Sequence, residues 1–194
     1  MIGYIGICDF DAEVLEVTGM VHPDFRNQGI FSKLYDLVQE EFNKRPAQEM
    51  LLLCHKDLQA GLHFIEQKAR YHYAEYDMYL DISVFTPTMK YRLKLEEIDS
   101  KEHLFIGKVY NTAIGQVRLE LGTEVGGIYG LEIFPDCRRQ GYGRELLTQA
   151  IEKLVAHGMQ KVFLQVDTMN EQALKLYQSC GFVEGDVIAV LFNI

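Results

Sequence analysis

The chain has 194 residues, a formal net charge of −9 and 48% hydrophobic side chains, enough apolar material for a real core in one large domain or two small ones and too much for a disordered chain. The acidity argues against nonspecific nucleic-acid binding, which depends on clustered Lys and Arg. No apolar run nears the ~20 residues of a membrane span, and Met1-Ile2-Gly3-Tyr4 has no basic segment ahead of an apolar stretch, so neither membrane insertion nor export is indicated.

Residues 17–23 read as extended, Phe25-Arg26-Asn27-Gln28-Gly29 as a turn, and Ile30, Phe31, Leu34, Leu37, Val38 and Phe42 recur at helical spacing. A buried strand, Met50-Leu51-Leu52-Leu53-Cys54, follows. Further on, Ala74, Tyr76, Met78 and Leu80 alternate with Tyr71, Tyr73, Glu75, Asp77 and Tyr79, a strand with one apolar and one mixed face. The mixed face either lines a cleft or supplies cross-strand partners. Thr86-Pro87-Thr88 interrupts two extended segments and places a boundary within residues 83–89.

In the second half, Ile128-Tyr129-Gly130-Leu131-Glu132-Ile133-Phe134 is extended and residues 146–155 form an amphipathic helix. Between them lies Arg138-Arg139-Gln140-Gly141-Tyr142-Gly143. Glycines at 141 and 143 let the backbone approach a ligand, and the following helix offers unpaired amide N–H groups, for which phosphate oxygens are natural acceptors. A nucleoside-triphosphate loop is excluded because no Lys-Ser or Lys-Thr follows the glycines, and a dinucleotide fingerprint because its third glycine is missing. Next come Leu164-Gln165-Val166-Asp167, then Asn170, Ala173, Leu174, Leu176-Tyr177, and Gly181-Phe182.

The same order of features thus occurs twice. Aligning Gly29 with Gly141, 112 positions on, sets Pro23 opposite Pro135, Met20 opposite Glu132 and Phe31 opposite Gly143. With one more residue of slack, Asp57 stands for Asn170, Phe64 for Tyr177 and Lys68-Ala69 for Gly181-Phe182. Each change removes a functional group or blocks the turn, so the first copy is read as degenerate.

Over roughly residues 105–194 the two motif blocks resemble the GNAT family of N-acetyltransferases. The resemblance implies an α/β fold of two GNAT-like repeats, each a mixed, mainly antiparallel sheet flanked by helices: residues 1–86 a degenerate, partial repeat and residues 87–194 an intact one. It also implies acetyl-CoA as cosubstrate, with its pyrophosphate at Arg138, Arg139, Gln140, Gly141, Tyr142, Gly143 and Arg144. Asn170 and Ala173 would lie near the cofactor arm and Tyr177 near the thioester. A backbone N–H at Ile133 or Phe134 would polarise the carbonyl. A complete GNAT domain opens with a strand and two helices that help form the acceptor site, yet almost nothing precedes Gly3 and only residues 90–103 precede the second set of strands. Either such lid helices are absent or the chain is part of a longer protein.

Acyl transfer from a thioester to an amine needs a neutral amine, stabilised charge at the attacked carbonyl and a proton for the departing thiolate. Tyr177, with an ordinary pKa near 10, is the candidate acid, or else a packed core tyrosine. Glu132 is the candidate base, directly or through water, unless it merely faces solvent; Glu120 and Glu124 are reserves. The expected reaction is acetyl-CoA-dependent N-acetylation of a primary amine, with a small-molecule amine as acceptor. The rival reading is a noncatalytic acyl-CoA-binding or interaction module. Self-association into a homo-oligomer is left open.

Charge and the remaining chemistry-bearing residues add constraints. Residues 1–87 carry 7 basic and 14 acidic side chains, residues 88–194 carry 12 and 14; an acidic first half either draws in a cationic amine or is a solvated surface. Cys8, Cys54, Cys137 and Cys180 occur singly and suggest neither disulfides nor a paired-thiolate site, which fits a cytoplasmic location. The six histidines lack ligand spacing, so no metal is expected.

Overall fold

The computed structural model describes residues 1–9, 13–87 and 90–193, with residues 69–72 and 189–193 described as backbone alone. Thr88 and Met89, inside the expected boundary, and the side chains of Tyr71 and Ala69 therefore lie outside the described residues. The chain forms two compact units, Met1–Glu75 with Asp186–Ile194, and Tyr76–Gly185. The expected division at residue 86 falls in the coil after Val84.

The first unit contains β1 (Gly3–Asp9), β2 (Val14–Val21), α1 (Ile30–Phe42), β3 (Glu49–His55), α2 (Gln59–Glu66) and the first part of β4 (Ala69–Asp81). Strand β1 pairs antiparallel with β2 through an unbroken register from Gly3↔Val21 to Asp9↔Leu15, and β2 runs parallel to β3. Residues 188–192 close this sheet by pairing antiparallel with residues 51–55. Alternation decides which face is inside: Met50, Leu52 and Cys54 are buried while their neighbours are not, and they pack with Val17, Tyr35, Val38 and Ile65.

The second unit continues from β4 into β5 (Lys94–Asp99), β6 (Leu104–Val109), β7 (Thr112–Leu121), β8 (Val125–Ile133), α3 (Tyr142–Ala156), β9 (Lys161–Asp167), α4 (Glu171–Ser179) and the start of β10 (Val183–Asn193). Its strand order is β4-β9-β8-β7-β6-β5. Strands β5 to β8 form an antiparallel meander and β9 lies parallel to β8. The α/β class and the mixed, mainly antiparallel sheet with flanking helices are as expected. Helix α3 buries Leu146, Leu147, Ala150, Ile151 and Leu154 on one face, each buried Leu or Ile contributing about 1.5–3 kcal/mol. Gly126 makes that seat: a Cβ there would lie 2.7 Å from Leu154 Cδ2. Residues 90–103 form a coil, β5 and the turn that follows it.

Several local structures recur 112 positions apart. Helices α1 and α3 begin at Ile30 and Tyr142, strands β3 and β9 at Glu49 and Lys161, and helices α2 and α4 at Gln59 and Glu171. Asn27 and Gly29 have positive φ, as do Arg139 and Gly141. The Arg26 guanidinium donates to the Val21 carbonyl as Arg138 does to Ile133, and Gln28 to Asp24 as Gln140 does to Asp136. The constant spacing corrects the alignment that allowed one residue of slack. Leu58, not Asp57, takes the N-cap position of Asn170 and caps nothing with its side chain. Ile65 falls opposite Tyr177, and Phe64 opposite Leu176. Phe31 packs edge-on against Phe64 at 4.9 Å, filling the space that Gly143 leaves beside Leu176.

Candidate active site

The turn after β8 is built by two left-handed residues. A single 3-10 turn at Pro135–Cys137 leads to Arg139 at φ 59° and Gly141 at φ 86°, and Gly141 is the N-cap of α3. The helical ladder starts with the Glu145 amide donating to the Gly141 carbonyl. The amides of Tyr142, Gly143 and Arg144 precede that first bond, so the helix leaves them unpaired at its positive end. At φ +86° any side chain is strained, which makes glycine the residue for position 141.

The basic residues divide their labour. Arg138 Nε donates to the Ile133 carbonyl at 2.8 Å and its guanidinium lies 3.7 Å from the Glu132 carboxylate. Arg144 is spent on the end of α4, donating to the Ser179 carbonyl and hydroxyl. Arg139 is exposed and makes no hydrogen bond or ion pair among the described residues, so its charge is free for an anion.

Strand β8 is irregular where it approaches the turn. Its pairing with β7 shifts between Gln116↔Glu132 and Arg118↔Tyr129, and Gly130 at φ 55° absorbs the extra residue as a bulge. On its other edge β8 pairs with β9 only from Val125↔Lys161 to Gly127↔Phe163 among the described residues. Beyond Gly127 that edge is open. The Phe134 amide donates to the Ile114 carbonyl at 2.9 Å, which removes it from the two amides expected to meet a carbonyl. Antiparallel alternation then turns the preceding amide, Ile133, away from β7 and toward the open edge. Glu132 is exposed on this stretch. Of the reserve carboxylates, Glu120 accepts from the Tyr129 hydroxyl, whose pKa is raised by burial and by that bond. Glu124 precedes the other end of β8, a nine-residue strand that separates it from the turn by roughly 30 Å.

Helix α4 carries the remaining candidates. Asn170 is its N-cap, Oδ1 accepting from the Ala173 amide at 3.1 Å, and Ala173 packs partly into the core. Tyr177 is 8% exposed, with Phe182 beside its ring at 5.9 Å. Burial pushes its pKa above the usual tyrosine value. Its hydroxyl has no hydrogen-bond partner among the described residues, where every buried side-chain N or O has one. The ring is therefore core while the oxygen reaches the surface.

Two site residues escaped the sequence reading. Glu145 is 2% exposed on the apolar face of α3, accepting from the amides of Arg92 and Leu93 at 2.8 and 3.1 Å and from Arg92 Nε at 2.7 Å. Burial raises its pKa, but the Leu93 and Arg92 donors outweigh that and hold it below the usual glutamate value. Arg92 also donates from Nη2 to the Gln140 carbonyl at 2.7 Å and lies over the Tyr142 ring. The readable signal was a lone carboxylate beside Leu146 and Leu147, where the helical pattern demands an apolar residue.

The sequence pattern of the acetyltransferase (GNAT) family matches residues 69–182. This chain belongs to that family. The [ribosomal protein bS18]-alanine N-acetyltransferase of Escherichia coli (strain K12) is 37% identical over 81 residues, 42% of this chain and 52% of that protein. The chain thus spans about half the length of the curated relatives it matches. Its fold is similar to the GCN5-related N-acetyltransferase of Sphaerobacter thermophilus (TM-score 0.84, 15% identity, 99% of this chain and 76% of that one). It is also similar to a tandem GNAT protein from the clavulanic acid biosynthesis pathway (TM-score 0.72, 13% identity, 93% and 75%). At such identities the likeness is one of fold.

The GNAT family uses acetyl-CoA, and the turn has the donors a diphosphate needs: a glycine N-cap, unpaired helix amides and, two residues before the N-cap, the exposed Arg139. Among the described residues no three His, Cys, Asp or Glu gather in a metal-holding group, and no helix is long and apolar enough to cross a membrane.

Proposed function

We propose that the second unit is an acetyl-CoA-dependent N-acetyltransferase acting on a primary amine, with a small cationic amine as acceptor. The observation that carries this reading is the open edge of β8, where the Ile133 amide points into the gap left by β9 just ahead of the glycine turn. Acetyl-CoA would supply the activated acetyl thioester. Arg139, Gln140, Gly141, Tyr142 and Gly143 would hold its diphosphate, with Arg138 and Arg144 shaping the turn and Asn170 and Ala173 beside the arm. The Ile133 amide donates to the carbonyl oxygen where charge develops. Glu132 takes a proton from the acceptor ammonium, Tyr177 gives its hydroxyl proton to the departing sulfur as the new C–N bond replaces C–S, and the second proton shed by the acylated nitrogen restores the tyrosine.

The first unit is read as a degenerate copy in a tandem protein with one working site. Support comes from the turn repeated at 112 positions, together with an unbulged β1–β2 register and Ile65 in place of Tyr177. Four free thiols fit a cytoplasmic location. Thiol release from acetyl-CoA across a panel of small amines and alanine-terminated peptides tests the reading. Turnover with small amines supports it, preference for peptides moves the acceptor to proteins, and binding without turnover leaves a noncatalytic module.

A further inference from the structure

The turn is held by a segment distant from it in the chain. Segment Tyr91-Arg92-Leu93 lies along α3 as a strap: the Tyr91 hydroxyl donates to Glu152, the Leu93 carbonyl accepts from Gln149, and the Arg92 and Leu93 amides donate to Glu145. These contacts are spaced at successive turns of α3. From this platform Arg92 forks between the Glu145 carboxylate and the Gln140 carbonyl.

The second contact has a geometric effect. In a planar trans peptide the C=O and the following N–H point in opposite directions. Tethering the Gln140 oxygen to Arg92 therefore aims the Gly141 N–H away from Arg92, and among the described residues that N–H has no backbone acceptor. Without the tether, glycine at 141 leaves that peptide free to rotate. The guanidinium also places positive charge at the turn, half-exposed, while Glu145 beneath it is buried.

We propose that Arg92 is a positioning residue for the cofactor turn: anchored on Glu145, it fixes the Gln140–Gly141 peptide so that the Gly141 amide is aimed at a diphosphate. This rests on the reading that the turn takes acetyl-CoA. The test compares wild type with Arg92→Met, Arg92→Lys and the strap control Tyr91→Phe. Calorimetry gives the Kd for acetyl-CoA, and turnover is measured with acetyl-CoA and with S-acetylpantetheine, which lacks the diphosphate. Arg92→Met is expected to weaken acetyl-CoA binding by ~10-fold or more while kcat/KM for S-acetylpantetheine stays at the wild-type value. Arg92→Lys, which keeps the charge but cannot span both acceptors, is expected to recover only part of the loss, and Tyr91→Phe to bind like wild type. If Arg92→Met misfolds, Arg92→Lys with an unchanged urea midpoint decides. Unaltered acetyl-CoA affinity in Arg92→Lys and Arg92→Met, or equal losses with both thioesters, overturns the inference. Failure of wild type itself to bind acetyl-CoA overturns the reading beneath it.

Discussion

Tyr177 shows how one side chain serves two ends: its ring fills core volume while its hydroxyl stays unpartnered. Tyr177→Phe is expected to lower kcat by ~10²–10⁴-fold and leave the acetyl-CoA Kd unchanged, read by steady-state rates beside calorimetry. Because burial raises its pKa above the ordinary 10.0, the hydroxyl stays protonated through neutral pH, and any falling limb of kcat lies above pH 10. Glu132→Gln is expected to lower kcat/KM for the amine while leaving the acetyl-CoA Kd unchanged, since only the carboxylate can take the ammonium proton; an unaltered rate removes Glu132 as base. The types and order of these residues are visible in the chain. The fates of Phe134, whose amide goes to Ile114, and of Arg144, whose guanidinium goes to Ser179, are not. Hydrogen-bond destinations depend on which strand and helix lie alongside, and spacing does not contain that.

Helix α3 couples the core to the turn through a buried acid near its start. Glu145 has a folded-state pKa below the ordinary 4.5, so its contribution to stability is fully present above pH 4.5 and is lost as pH falls through the lower folded value. Glu145→Leu is expected to remove that part of the acid dependence in urea unfolding at stepped pH. It also strands the Arg92 and Leu93 amides, at about 1–3 kcal/mol for each donor left unsatisfied. Apolar periodicity made α1, α3 and β3 readable from Leu, Ile, Val, Phe and Met. The bulge at Gly130 was not, because one glycine in an extended run is compatible with an unbroken register, as Gly19 in β2 is. The same extra residue accounts for β2 and β8 starting 111 rather than 112 positions apart, while from Pro23 and Pro135 onward the spacing holds without slack.

For the whole molecule, one acetyl-CoA per chain is the expected calorimetric stoichiometry, since Ile65 and Phe31 replace Tyr177 and Gly143 in the first unit; two equivalent sites would contradict a degenerate copy. A preference for cationic acceptors driven by the acidic residues 1–87 should fade with added salt, given a Debye length of ~8 Å at physiological ionic strength. Measured kcat/KM for matched charged and neutral amines at stepped salt decides, and a salt-independent ratio removes the electrostatic explanation. That β10 is divided between the two units was not legible, because an apolar strand names no partner. The pairing of residues 188–192 with residues 51–55 carries a consequence for biosynthesis. A ribosome releases the early partner long before the late one, so the N-terminal unit emerges with an open sheet edge. The unit made later can mature first, and the one made first stays exposed to chaperones and proteases until residues 188–192 have been made.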